Sequence, residues 1–86
     1  MGQFEKLLLS ILSGTQDNNI RFKDLQNLLN SFNFHVRIKG DHFIYIREDI
    51  DEILNIQPKG NMAKPYQVKQ VRNIIVKYKL GGDLDA

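Results

Sequence analysis

Phe34-His35-Val36-Arg37-Ile38-Lys39-Gly40-Asp41-His42-Phe43-Ile44-Tyr45-Ile46-Arg47 is the stretch that decides how this chain folds. Two runs with strand character, Phe34–Lys39 and Phe43–Arg47, flank a Gly-Asp pair. Strand side chains alternate between faces, so Phe34, Val36 and Ile38 point one way and His35, Arg37 and Lys39 the other. A Gly followed by Asp makes a two-residue loop of the II′ kind, in which Gly supplies the positive φ that other residues resist. In that register Lys39 faces His42 across the hairpin. Phe43 and Tyr45 join the apolar face, and His42, Ile44 and Ile46 join the basic one. A slip of one residue would turn His42 inward.

The neighbouring segments read as helices. Phe4, Leu7, Leu8, Ile11 and Leu12 recur at helical spacing, closed by Ser13-Gly14. After a polar loop over Gly14–Asn19 come Phe22, Leu25, Leu28, Leu29 and Phe32, a second helix without a clear cap at its start. Beyond the hairpin, the acidic stretch Arg47–Glu52 reads as a turn and Ile53–Gln57 as a third strand ending before Pro58. Lys59–Lys64 reads as a connection. Pro65 suits the first turn of a last helix, where its missing N–H costs nothing. That helix buries Val68, Val71, Ile74, Ile75 and Tyr78 and ends at Gly81-Gly82. Ile44 and Ile46 on the basic face call for a cover, either the N-terminal helix or a partner chain.

Eighty-six residues suit one small domain. A chain of this size buries only about 60% of its unfolded surface, so a deep enclosed pocket is not expected. The absence of cysteine excludes disulfides, thiolate catalysis and the common zinc sites. The apolar run Leu7–Leu12 lacks a basic leader and is much shorter than the roughly 20 residues needed to span a bilayer. A soluble, cytoplasmic protein is expected, with no membrane partner.

The net charge of +2 is unevenly spread. Lys59, Lys64, Lys69, Arg72, Lys77 and Lys79 follow one another with no acid between them, whereas Glu48, Asp49, Asp51 and Glu52 cluster with no cation. Helical geometry places Lys69, Arg72 and Lys79 on one flank of the last helix. Segregated basic surface suits a phosphate backbone, although a solvated helix face explains lysines equally well. His42 beside Lys39 adds a group that moves protons near neutral pH. RNA is the natural polyanionic substrate. The plain alternative for a lone histidine at a turn is a solvated polar residue.

With the helix Asp24–Phe32, the Lys-Gly-Asp-His hairpin at 39–42, the strand leading to Gln57-Pro58 and Val71-Arg72-Asn73-Ile74-Ile75 in place, the chain resembles the HicA-type mRNA interferases, toxins of bacterial toxin–antitoxin pairs. The resemblance covers roughly Arg21 to Leu80. It implies an α+β fold, a double-stranded-RNA-binding-domain-like α-β-β-β-α layer with an additional N-terminal helix. The single domain 1–86 then divides into an N-terminal helix and loop (1–19), a core (20–80) and a frayed tail (81–86). It also implies an endoribonuclease acting on mRNA, and a HicB-type antitoxin covering the His42 margin. The family's Gly-(Ser/Asp)-His histidine carries over onto His42. Many members have a second histidine where this chain has Phe43, and another after the strand-ending proline where it has Lys59.

Metal-free RNA cleavage needs a base for the ribose 2′-OH, a proton for the leaving 5′-oxygen and cations at the phosphorane. His42 takes the acid/base role, for which a positioned histidine contributes about 10²–10⁴-fold. Lys39 and Arg72 take the phosphate role, with Lys59, Lys64 and Lys69 as helpers. His35 lies on the same face but most of a strand away. Glu48–Glu52 lack calcium-loop spacing, and Asp41 is the only carboxylate near the basic margin, so no metal and no small-molecule cofactor are expected. A non-catalytic RNA-binding module and a protein-interaction domain built on the N-terminal helix are the alternatives.

Overall fold

Lys39 pairs with His42, Ile38 with Phe43 and Val36 with Tyr45, the register that the alternation predicts. Gly40 has φ 62° while Asp41 stays outside the left-handed region, which excludes the I′ turn and suits II′. The structure, a computed structural model, describes residues 2–82. Strands β1 (His35–Lys39), β2 (His42–Ile46) and β3 (Leu54–Ile56) form an antiparallel sheet in spatial order β1-β2-β3. Helices α1 (Gln3–Ser13), α2 (Phe22–Ser31) and α3 (Pro65–Lys77) complete an α+β fold. The third strand is shorter than Ile53–Gln57, and Ile53 is mostly exposed.

Residues 59–64 are not a plain connection. Strands β4 (Pro58–Lys59) and β5 (Met62–Ala63) make a second small hairpin around Gly60-Asn61. Met62 also bridges to Arg21, and the Asn61 carbonyl accepts the Phe22 N–H at 2.9 Å. These contacts anchor the start of α2, which has no side-chain cap. A short 3₁₀ turn, Asp17–Asn19, occupies the expected loop before it.

One core joins all three helices to the Tyr45, Leu54 and Ile56 face of the sheet. Leu8 and Ile11 bring α1 into it, and Phe4 meets Phe32 edge to face with ring centroids 5.7 Å apart. The N-terminal helix therefore packs with α2 and α3 and does not cover Ile44 or Ile46. Val36 and Ile38 share the inward side of β1 but remain 42% and 59% exposed, on an edge strand whose main contacts are with β2.

The ends of α2 and α3 follow Schellman geometry, in which a left-handed residue lets two N–H groups reach back to the last carbonyls. Asn33 (φ 67°) plays that part after α2: Phe34 N–H bonds Leu29 O at 3.1 Å, and both side chains are buried. After α3 the left-handed residue is Lys79 (φ 55°), with Leu80 N–H on Ile75 O at 2.9 Å. The last helix thus closes before Gly81-Gly82, the pair expected to end it. Of the expected frayed tail, residues 83–86 lie outside the described residues.

Candidate functional site

His42 opens β2 immediately after the turn, with 46% of its side-chain surface exposed. Its two ring nitrogens are both engaged. Nδ1 lies 3.1 Å from Asn55 Oδ1, and Nε2 lies 3.2 Å from Gln57 Nε2. Lysine can only donate, and Lys64 Nζ reaches Gln57 Oε1 at 3.1 Å. Gln57 Oε1 is therefore the acceptor and its Nε2 the donor. It follows that neutral His42 accepts at Nε2 and carries its hydrogen on Nδ1, donating to Asn55. The Nε2 lone pair, the one available to take a proton, sits under the Gln57 amide. Asp41 Oδ1, 3.4 Å from the same amide nitrogen and 3.9 Å from His42 Nε2, offers a second acceptor beside it.

The positions of Asn55 and Gln57 are set from below by the buried Gln67 of α3. Its Oε1 accepts the Gln57 N–H at 3.0 Å and its Nε2 donates to the Asn55 carbonyl at 3.3 Å. One side-chain amide thus occupies part of β3's outer edge and satisfies backbone groups that would otherwise lack partners. Pro65 starting α3 and the alternation of β3 are both legible in the sequence. The meeting of Lys64, Gln57, Asn55 and Gln67 is not, because it depends on how α3 docks.

Of the expected phosphate-binding residues, Lys39 stands opposite His42, exposed and without an ion pair among the described residues. Lys64 joins the His42 network directly. Lys59 is exposed on β4, two residues after Gln57. Lys69 is exposed on α3. Arg72 departs from the expectation. Its Nη1 donates to Asp17 Oδ1 at 2.8 Å and to the Ile11 carbonyl at 3.2 Å, with most of the side chain covered. Arg72 fastens α3 to the end of α1, and the supposed cationic flank of the last helix is broken there. His35 pairs with Ile46 at the far end of the hairpin, away from His42.

Two further acids, Asp49 and Glu52, are paired away from the site. Arg47 pairs with Asp49 at 2.8 Å and Lys77 with Glu52 at 2.7 Å. The Lys77 ammonium and then the Tyr78 hydroxyl, both bonded to Glu52, lower its pKa from 4.5 to about 2. Burial pushes the Tyr45 hydroxyl up. Among the described residues no three His, Asp or Glu side chains gather as a metal site would require, and no helix is long and apolar enough to cross a membrane.

On the His42 face, Ile46 (38%) is open to solvent and Ile44 half-buried. Ile53, just before β3, falls on the same side by alternation and is 62% exposed. An imidazole within a polar network, the exposed Lys39 at the hairpin end and an uncovered apolar strip thus share one surface. Compared with protein-family models, curated proteins and solved structures, the chain matches none.

Proposed function

We propose that this chain is a HicA-type endoribonuclease, the toxin of a toxin–antitoxin pair, with His42 as general acid/base and a double-stranded-RNA-binding-domain-like core. The observation that carries the reading is the exposed His42 ring, held by Asn55 and Gln57 opposite Lys39, with Lys64 one hydrogen bond further along. Asn55 orients the ring through Nδ1, and Nε2, covered by the Gln57 amide, becomes the proton acceptor once that amide moves aside.

In this reading an RNA phosphate enters between Lys39 and Lys64 and draws Lys64 from Gln57. The Gln57 amide then turns toward Asp41 and uncovers His42 Nε2. Nε2 takes the proton from a ribose 2′-OH, and the 2′-oxygen attacks the adjacent phosphorus. The P–O5′ bond breaks, leaving a 2′,3′-cyclic phosphate, and the proton passes to the departing 5′-oxygen. Lys39 and Lys64 offset the charge that builds on the phosphorane. The reaction as written needs no metal. Arg72 has no part in it, being engaged by Asp17. A HicB-type antitoxin covers the margin, its apolar side chains meeting Ile44, Ile46 and Ile53.

The test is cleavage of unstructured RNA by the wild type and by His42→Ala, with and without EDTA. We expect cyclic-phosphate products in both buffers from the wild type, and a loss of about 10²–10⁴-fold in the variant with RNA affinity retained. Salt-sensitive binding with no His42-dependent product would instead identify a non-catalytic RNA-binding module. Abolition of cleavage by EDTA would refute the metal-free step.

A further inference from the structure

An open groove of about 670 Å³ lies between the start of α2, the β4–β5 hairpin and Phe43 of β2. We infer that it is a binding site for one unpaired nucleotide of an RNA strand, next to the strand's contact with His42. This rests on the endoribonuclease reading and adds to it a place where base identity is sensed.

The lining has the chemistry of a nucleotide site. Phe43 and Met62 are half-buried and supply an apolar floor, and the Phe22 ring holds Phe43 edge to face at 5.0 Å. Arg21 and Lys23 stand exposed at one end, neither with an ion pair among the described residues, and no acid lines the groove. They flank the uncapped start of α2, whose partial positive charge also favours a phosphate. Gln26 and Asn61 contribute side-chain amides, which can both donate to and accept from a base edge. Gln26 interacts with the Tyr45 hydroxyl, whereas the Asn61 side chain has no hydrogen-bond partner among the described residues.

Size and position narrow the ligand further. The volume exceeds what inorganic phosphate fills and falls within the range of small-molecule sites. A base held in a duplex cannot present its face to Phe43 and its edge to Asn61, so the occupant is unpaired; stacking and edge recognition of this kind are how proteins read single-stranded RNA. Phe43 directly follows His42, and Pro58, which also lines the groove, directly follows Gln57. The groove therefore begins one residue from each of two members of the His42 network, on the opposite side of the same end of the sheet. A strand bent over this end reaches both.

The probe is a set of 2′-deoxy tetranucleotides, which lack the attacking hydroxyl, titrated into isotopically labelled full-length protein at low salt. We expect shifts at the Gln26 and Asn61 side-chain amides and the Met62 methyl. Asn61→Ala should raise Kd about tenfold for the preferred base and redistribute the cleavage sites on a long RNA. Lys23→Ala should weaken all four bases alike. Asn61→Ala changes only a side chain, since its carbonyl still holds Phe22; Gln26→Ala is avoided because it removes the Tyr45 partner. Shifts confined to Lys39 and His42, or unchanged affinity and cleavage pattern in Asn61→Ala, would overturn the groove. Groove binding with no cleavage of RNA would instead sink the nuclease reading and leave the nucleotide site standing.

Discussion

Gln57 carries more of the site's logic than its neighbours, because its amide is oriented from one end by a group that can only donate. Replacing its donor by an acceptor should therefore reverse the ring. In Gln57→Glu, His42 is expected to carry its hydrogen on Nε2 in the neutral form, read from the imidazole ¹⁵N shifts, with cleavage reduced about 10–100-fold. Unchanged ¹⁵N shifts would show that the hydrogen bond does not govern the ring. A second single-residue effect concerns the backbone. Lys79 bears a left-handed φ that costs an ordinary residue about 1 kcal/mol. Lys79→Gly should stabilise the fold by up to about that amount in urea unfolding. A loss of stability there would mean that the Lys79 side chain contributes more than its backbone strain costs.

At the scale of elements, α1 is part of the core and not an appendage. Ile11 has no exposed surface, and the Ile11 carbonyl also receives Arg72. Ile11→Ala should lower unfolding free energy by about 2–5 kcal/mol, the range for emptying a buried aliphatic site. A change below 1 kcal/mol would mark α1 as loosely docked. The β3 edge illustrates a different economy: Gln67 spans from helix to strand with one amide, so the strand needs no further neighbour along that stretch. The same contact sets where Asn55 and Gln57 stand beneath His42, linking core packing to the chemistry of the surface.

For the whole molecule, charge is sorted between paired and free. Glu52 ties the 47–53 segment to the end of α3 through Lys77 and Tyr78, and Asp51 N–H reaches the Tyr78 hydroxyl at 3.4 Å. Its folded pKa, about 2, lies below its ordinary 4.5. The unfolded chain thus binds the proton first on acidification. The stabilisation is complete above pH 5 and is lost as pH falls through 4.5 toward 2. Glu52→Gln should accordingly differ from the wild type in stability at pH 7 and converge with it near pH 2, with the difference reduced by salt. A constant difference across that range would mean that the clamp does not titrate. Lys39, Arg21 and Lys23 have no ion pair among the described residues, and Lys64 is held only by the neutral Gln57.

What the amino-acid sequence determined by itself is everything carried by local periodicity: the apolar stripes of the helices, Pro65 at the start of α3, and the Gly40-Asp41 turn that sets Lys39 against His42. The β4–β5 hairpin escaped because two-residue strands have no period to read, although Gly60-Asn61 between Pro58 and Ala63 is itself a turn signal. Tertiary structure alone decided that Arg72 belongs to Asp17, 55 residues away, and that Gln57 and Asn55 belong to His42. Such pairings are chosen by how helices dock on a sheet. Docking depends on the summed burial of many apolar side chains, and no short stretch of sequence holds that sum.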